Sequence, residues 1–261
     1  MLLILIPLTL LVHNSLAYSL YDDIDDYHLW ADESSVATAS NQGCKKDLLI
    51  LWDCSSSIGF TDLKNSIIPF LEGLVNSSKL NVNEEGTHLG FITFSKKEKT
   101  KVLKKVGEMR SPDELRKWLD QYTKKSFFRS TYKTKQLGTQ TYTGEALIRA
   151  NEEFAKQGPL NHREDVADVI LLFTDGKPNP NSGTEDQTTV ALKYSTILKE
   201  KNVKIFGLAA GTERNLKQYS PLIEKWSSKP STEYFFKSDI SNLDRVVDNI
   251  VGPLCGPAAG E

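Results

Sequence analysis

Continuous apolar runs alternate along the chain with segments in which apolar residues recur every three or four positions. Residues 48–52 and 166–173 are such runs, as expected of strands that are buried on both faces. Residues 88–94 and 203–210 predict two further strands. Between the predicted strands at residues 48–52 and 88–94, leucines and isoleucines at 63, 67, 71 and 74 follow helical spacing. Strands that alternate with helices predict βα units and a mostly parallel sheet.

Shorter patterns complete the predicted set of elements. Residues 100–106 are rich in lysine and predict an edge strand, because edge charges discourage pairing with another sheet. Residues 234–236 predict a short strand, and residues 143–155 and 240–251 predict helices, the second of which closes the domain.

Helix ends are marked by local sequence signals. Ser111 with Glu114 forms a capping box, and a proline lies between them at the first helical position. Thr184 with Gln187 predicts the start of a helix that runs to about residue 201. Pro69 falls inside a helical pattern and is expected to kink or break that helix.

The ends of the chain predict a secreted protein with one folded domain. Residues 1–17 combine an apolar run with small residues at a cleavage position, which indicates a signal peptide. Residues 18–43 are acidic, contain no Lys or Arg, and predict a flexible leader. We expect the domain to span 44–255 and a short extension to span 256–261. No other segment is apolar for long enough to predict a membrane span.

The charge balance narrows the class of partner. The formal net charge is −2, so composition gives no reason to expect binding to nucleic acid or to an anionic membrane surface.

Three cysteines leave one unpaired if the other two form a disulfide in a secreted protein. Cys44 precedes the first predicted strand and Cys255 follows the last predicted helix. If these two pair, they join the two ends of the domain and Cys54 is the free thiol. Asn76 begins an Asn-Ser-Ser sequon and is a candidate glycosylation site.

Three polar clusters follow strands or precede helices where ligands bind in parallel α/β sheets. Asp53, Ser55 and Ser57 follow the first strand, Asp175 follows the strand at 166–173, and Thr141 precedes a helix. Alternate residues of an extended segment point the same way, so Asp-x-Ser-x-Ser can present three oxygens together. Carboxylate and hydroxyl oxygens suit Mg²⁺, Mn²⁺ or Ca²⁺ better than Zn²⁺.

Two carboxylates and neutral hydroxyls would leave such an ion under-neutralised. A carboxylate from another molecule is the natural remaining ligand, which predicts a metal bridge to an acidic protein. Taken singly, the clusters have simpler interpretations. Ser57 could cap a helix, and Thr-Asp-Gly is an ordinary turn. Their order and the preceding apolar strands favour the metal site.

From about residue 45 to residue 254 the chain resembles the von Willebrand factor A family with a complete metal-ion-dependent adhesion site, or MIDAS. The resemblance implies a doubly wound, Rossmann-like α/β fold with one antiparallel edge strand and helices on both faces. It also implies that the closing helix can shift and couple to the metal site. The implied metal ligands are Asp53, Ser55, Ser57, Thr141 and Asp175. The family usually has glycine at positions 54 and 56, where this chain has Cys54 and Ser56.

Two branches of the family share features with the chain. Asp53-Cys54-Ser55, Pro69 and residues 249–253 resemble the thrombospondin-related anonymous protein (TRAP) adhesins of apicomplexan parasites. The stretches 138–147 and 168–179 equally resemble extracellular-matrix members from animals.

A basic segment with interleaved aromatic residues precedes the Thr141 loop. It would add positive potential that attracts an acidic protein or a heparan-like sulfated glycan, although it could also be only a solvated loop. The candidate ligand contacts in it are Lys124, Lys125, Arg129, Lys133 and Lys135.

The sequence therefore predicts a non-enzymatic adhesion module that binds a matrix or cell-surface protein. The first alternative is a structural component of an extracellular or skeletal matrix that uses the same site for assembly. A Mg²⁺-dependent phosphotransfer enzyme is a more remote alternative, because position 55 would need a second acid and carries serine. The histidines show no ligand spacing, so His88 and His162 are interpreted as structural or surface residues.

Overall fold

The computed structural model describes residues 43–127, 140–156, 158, 162–176, 178 and 186–256. In this part of the chain, six strands form one sheet in the order β3-β2-β1-β4-β5-β6. The strands are β1 (Lys46–Asp53), β2 (His88–Phe94), β3 (Lys101–Met109), β4 (Ala167–Thr174), β5 (Lys204–Ala210) and β6 (Phe235–Ser238).

The sheet is parallel except at one edge. β1 lies in the centre between β2 and β4, and both pairs are parallel. β3 pairs antiparallel with β2 through an irregular register, and Gly107 in β3 adopts a φ of 78°, which is accessible to glycine at little cost. The predicted α/β fold with an antiparallel edge strand is confirmed, and the lysine-rich strand is at that edge.

Helices connect the strands. They are α1 (Phe60–Asp62), α2 (Ile68–Asn76), α3 (Pro112–Asp120), α4 (Lys125–Phe127), α5 (Thr143–Phe154), α6 (Gln187–Glu200), α7 (Glu213–Trp226), α8 (Ser231–Tyr234) and α9 (Val247–Cys255). A π-helical turn, Leu63–Ile67, joins α1 to α2, and 3₁₀ turns occur at Lys97–Lys99, Gln121–Thr123 and Ile240–Val246.

The helices cover both faces of the sheet and bury one apolar core on each side. Leu48, Ile50 and Trp52 of β1 pack with residues of α2, α3 and α9. Leu49 and Leu51 point to the other face and pack with residues of α5, α6 and α7. Because alternate residues of β1 enter opposite cores, its continuous apolar run is required by burial on both faces.

The structure shows an irregular helix at Pro69 and a start of α6 that differs from the predicted one. Pro69 lies in the first turn of α2, directly after the π turn, which accommodates the missing backbone donor without ending the helical segment. Thr184 lies outside the described residues, and α6 is capped by Asp186, whose carboxylate accepts a hydrogen bond from the Thr189 backbone N–H. Ser111 caps α3 as predicted.

Cys44 and Cys255 form a disulfide that joins the segment before β1 to the end of α9, across 211 positions of sequence. Cys54 is a free cysteine whose side chain is fully buried. Burial, with a smaller contribution from the charge of Asp53, raises the pKa of the Cys54 thiol far above its usual value. Its Sγ donates a hydrogen bond to the carbonyl of Phe94, so we interpret it as a packing residue.

A thiol reagent should therefore distinguish folded from unfolded protein. We expect the native chain to give no rapid reaction, because Cys54 is both inaccessible and protonated. Denaturation without reductant should release one reactive thiol per chain, and addition of reductant should release the remaining two. Rapid labelling of the native protein, measured by absorbance and peptide mapping, would contradict the burial of Cys54.

The predicted signal peptide and acidic leader, and most of the predicted C-terminal extension, lie outside the described residues. Within the described ranges, no helix is both long and apolar enough to cross a membrane. Asn76 lies at the end of α2 with its side chain exposed, and its glycosylation stays a prediction.

Candidate metal-binding site

At the end of β1, the buried carboxylate of Asp53 accepts hydrogen bonds from two neighbouring segments. One of its oxygens, Oδ1, accepts a hydrogen bond from the Ser55 backbone N–H at 2.8 Å. The other, Oδ2, accepts from the Thr174 hydroxyl at 2.6 Å, which connects β1 to the end of β4. Asp53 thereby fixes the turn that carries the two serines.

The two serines and the second aspartate form a chain of oxygen atoms. The hydroxyls of Ser55 and Ser57 are 2.9 Å apart. Ser57 Oγ then donates to Asp175 Oδ1, also at 2.9 Å. The alternation that the sequence predicted therefore places Ser55 and Ser57 on the same side. It also excludes the simpler interpretation of Ser57 as a helix cap, because α1 begins after Gly59 and has no side-chain cap.

Thr141 reaches the same end of the sheet from the start of α5. The backbone N–H of Tyr142 donates to the carbonyl of Ser95, just beyond β2, at 2.7 Å. On the other side, Gly176 lies so close that a Cβ added there would be 3.7 Å from Thr141 Oγ1. This position brings the threonine hydroxyl beside the loop that carries Asp175. The structure thus brings together all five residues of the predicted site.

The spacing of these oxygens fits an octahedral cation. Two ligands at right angles, each about 2.1 Å from Mg²⁺, lie about 3 Å apart, close to the 2.9 Å separations along Ser55, Ser57 and Asp175. Four of the five side chains are buried, and Ser57 alone is exposed. Ser57 therefore marks the solvent-facing side of the cluster, from which a partner's group could approach an ion.

The electrostatics of the cluster also favour a cation. Burial raises the pKa of Asp53. Burial, followed by the charge of Asp53, raises the pKa of Asp175 to about 7. Two buried carboxylates this close together repel one another, and a divalent ion would offset both charges. The donor set is entirely oxygen, which matches Mg²⁺ or Mn²⁺.

The basic segment is only partly described. Lys124 lies 3.6 Å from Asp120 and forms an exposed ion pair with it, while Lys125 is exposed in α4. Arg129, Lys133 and Lys135 lie outside the described residues, so their contacts with a ligand stay a prediction.

A second basic surface, which the sequence patterns do not predict, lies beside the site. Lys96 and Lys97 follow Ser95, whose carbonyl holds the Thr141 loop, and the side chain of Lys97 is exposed. The predicted edge strand covers residues 100–106 and does not include Lys96 or Lys97, which follow the end of β2.

Another missed feature lies far from this cluster. Asp47, His162 and Asp168 place one potential ligand atom each within 4.8 Å of one another. Asp47 and Asp168 are directly paired near the start of β1 and β4, so this group is at the opposite end of the sheet.

Comparison with known proteins identifies the domain. The profile of the von Willebrand factor type A domain family matches residues 47–249, most of the chain. The comparison with curated proteins finds no matching sequence.

Solved structures with the same fold include an animal matrix protein and a parasite protein. Proximal thread matrix protein 1 from the mussel byssus is 19% identical with a TM-score of 0.61, over 82% of this chain and 48% of that one. A second mussel structure, 20% identical with a TM-score of 0.61 and the same coverage, is described as having a zinc-occupied MIDAS motif. The manganese-loaded Plasmodium vivax TRAP protein is 25% identical with a TM-score of 0.54, over 79% of this chain and 73% of that one. The chain thus spans about half the length of the mussel protein.

Proposed function

This chain belongs to the von Willebrand factor type A domain family, and on that premise we propose that it is an extracellular adhesion module. In this proposal, residues 44–255 form the module and residues 1–17 direct its secretion. The module binds an acidic protein of the matrix or of a cell surface through a divalent cation, with Mg²⁺ as the physiological ion.

The five clustered side chains would hold the ion in complementary ways. Ser55, Ser57 and Thr141 offer hydroxyl oxygens, while Asp53 and Asp175 offer charge and fix the loops through their hydrogen bonds. When bound, the ion supplies a Lewis acid that accepts a carboxylate oxygen from the partner. The solvent exposure of Ser57 marks the side from which that carboxylate would approach.

The observation that carries this proposal is the continuous oxygen cluster from Ser55 through Ser57 to Asp175. Its members come from the ends of two adjacent strands. Five side-chain ligands at most would leave one of the six positions of an octahedral ion open, and a carboxylate from another molecule could fill that position. The zinc-occupied MIDAS motif described for the mussel protein and the manganese-loaded state described for the P. vivax TRAP protein support a divalent ion bound to this fold.

Positive charge beside the site would help to select an acidic partner. Lys96 and Lys97 border the Thr141 loop, and we propose that Lys124 and Lys125 contribute to the same field. Such a surface would also attract a heparan-like sulfated glycan as a second class of ligand. This contribution should weaken at high salt, since exposed charges are screened over about 10 Å at 0.1 M.

A binding assay with chemically altered matrix tests the bridge. We expect the full chain to bind an immobilised extract of matrix proteins in Mg²⁺ and to be released by a chelator. Conversion of the carboxyl groups in that extract to amides should remove the same binding, because the partner's ligand oxygen would lose its charge. Binding that persists after both chelation and amidation would contradict a metal-bridged contact.

The structural alternative is a matrix component that uses the same site to assemble with other copies of this chain. It predicts Mg²⁺-dependent self-association of the chain, whereas the adhesion module should stay monomeric in Mg²⁺ at the same concentration. Sedimentation in Mg²⁺ and in chelator separates these two functions.

Catalysis has weaker support. A phosphotransfer enzyme of this type needs a second acid two residues after Asp53, and Ser55 instead pairs its hydroxyl with Ser57. A serine hydroxyl does not supply a proton as a general acid near neutral pH.

A further inference from the structure

The group of Asp47, His162 and Asp168 is separate from the adhesion site. Asp47 and Asp168 are the second residues of β1 and β4, and they are direct partners in the parallel register. Asp53 lies six positions further along β1, which corresponds to about 20 Å in an extended strand. No ion at the adhesion site could therefore also contact this group.

The geometry of the group matches a metal centre with mixed ligands. One imidazole nitrogen and two carboxylate oxygens all lie within 4.8 Å of one another. His162 Nδ1 and Asp168 Oδ1 are 2.9 Å apart, a separation that neighbouring ligands of one ion also show. The side chains of His162 and Asp168 are 20% and 14% exposed, so an ion could enter and water could complete its coordination.

Arg163 fixes the position of Asp47 through hydrogen bonds and that of His162 through the chain. Its backbone N–H donates to Asp47 Oδ2 at 2.6 Å, and its Nε donates to Asp47 Oδ1 at 2.8 Å. The guanidinium also donates to the carbonyl of Gly86 at 2.9 Å. Since Arg163 directly follows His162, the same contacts fix the imidazole beside Asp168. Carboxylate ligands in metal sites are commonly oriented by such outer hydrogen bonds.

Of the two carboxylates in the group, Asp47 has a permanently charged partner and Asp168 is paired with a histidine. Arg163 neutralises Asp47, which is fully buried. Asp168 faces Asp47 across the two strands and is opposed by His162, which carries charge only when protonated. Burial raises the pKa of Asp168 to about 6, although the hydrogen bond from His162 acts against the increase. A divalent cation would satisfy the second carboxylate and leave the imidazole neutral.

We propose that Asp47, His162 and Asp168 form a second metal site that prefers Zn²⁺ to Mg²⁺. Imidazole with carboxylates is a ligand set of zinc and other transition metals, whereas Mg²⁺ prefers oxygen ligands alone. Three protein ligands leave a position for water. A bound ion would fasten the segment before β4 onto β1, close to the strand end that follows the Cys44–Cys255 disulfide, and should stabilise the fold.

The test is zinc binding to the full chain that carries Asp175→Ala, in which the adhesion site has lost a ligand. Calorimetry should give one Zn²⁺ site per chain, a rise in Tm with Zn²⁺, and no comparable effect of Mg²⁺. Adding His162→Gln should lower the zinc affinity at least tenfold and remove the visible absorption that Co²⁺ acquires when imidazole binds it. Asp165→Asn, which changes an exposed carboxylate three residues away, is the matched control and should leave zinc binding unchanged.

The result that would overturn the proposal is an Asp175→Ala protein that takes up no zinc, or a His162→Gln protein that keeps its zinc affinity and Co²⁺ spectrum. The three residues would then be a hydrogen-bonded ion-pair network only. Far-UV circular dichroism and Tm in chelator check that both variants fold. Because this readout uses Zn²⁺ without an intact adhesion site, its failure is independent of any failure of the Mg²⁺-dependent adhesion proposed above.

Discussion

Replacing Asp175 with alanine should abolish Mg²⁺ and Mn²⁺ binding at the adhesion site while the domain stays folded. The variant removes one of two carboxylates and the acceptor for Ser57 Oγ, so the ion would lose both charge and a fixed ligand. We expect the affinity to fall by more than the roughly 10–100-fold that loss of an outer hydrogen-bond partner costs. In chelator, the loss of the Ser57 hydrogen bond is offset by relief of the repulsion between Asp175 and Asp53, so Tm should change little.

Calorimetric titration of both metals, with circular dichroism and thermal unfolding in chelator, measures these two effects. Asp244→Ala is the matched control, because it removes an exposed carboxylate in the 3₁₀ turn Ile240–Val246. The control should bind metal as the unmodified protein does. Normal metal binding by Asp175→Ala would show that the assigned ligand set is wrong.

Replacing Arg163 with alanine should lower the free energy of unfolding more than Asp175→Ala or Asp244→Ala does. Asp47 is fully buried, and Arg163 Nη2 and Nε lie 2.7 and 2.8 Å from its Oδ1. Without the guanidinium, the carboxylate keeps the backbone donor of residue 163 but loses the cationic partner that compensates its buried charge. Breaking a buried pair in this way typically costs about 3–5 kcal/mol.

Urea unfolding in chelator gives the free energy for this comparison. Arg116→Ala is the matched control, because Arg116 also pairs with an aspartate, Asp113, but both side chains are largely exposed. Exposed pairs of this kind contribute about 0–1 kcal/mol. Equal, small losses in the two variants would show that Arg163 does not compensate the charge of Asp47 in solution.

Most of the fold was predictable because a strand that is buried on both faces has a continuous run of apolar residues. The middle of β1 is buried on both faces and carries apolar residues on each, so the run at residues 48–52 identifies the strand. The observed β2 coincides with residues 88–94, and β4 and β5 each begin one residue later than predicted. The proximity of Asp53, Ser55, Ser57 and Asp175 was predictable from topology, since parallel strands bring the residues at and after the ends of β1 and β4 to one edge of the sheet.

The remaining features depend on contacts between residues distant in sequence. His162 has no ligand spacing along the chain, and it joins Asp47 only because Arg163 binds that carboxylate and β1 pairs with β4 in one register. The sequence offers two capping residues for α6, Thr184 and Asp186, and local spacing alone does not decide between them. In the structure Asp186 caps the helix.

Isothermal titration of Mg²⁺ into the full metal-free chain, repeated with an acidic matrix protein present, tests the metal-bridged adhesion site most directly. Saturable binding that becomes tighter with the acidic protein is the predicted result, since the partner's carboxylate would complete the coordination of the ion. No heat of binding at millimolar Mg²⁺ would contradict it, and the oxygen cluster of Ser55, Ser57 and Asp175 would then be only the hydrogen-bonded turn that joins the ends of β1 and β4.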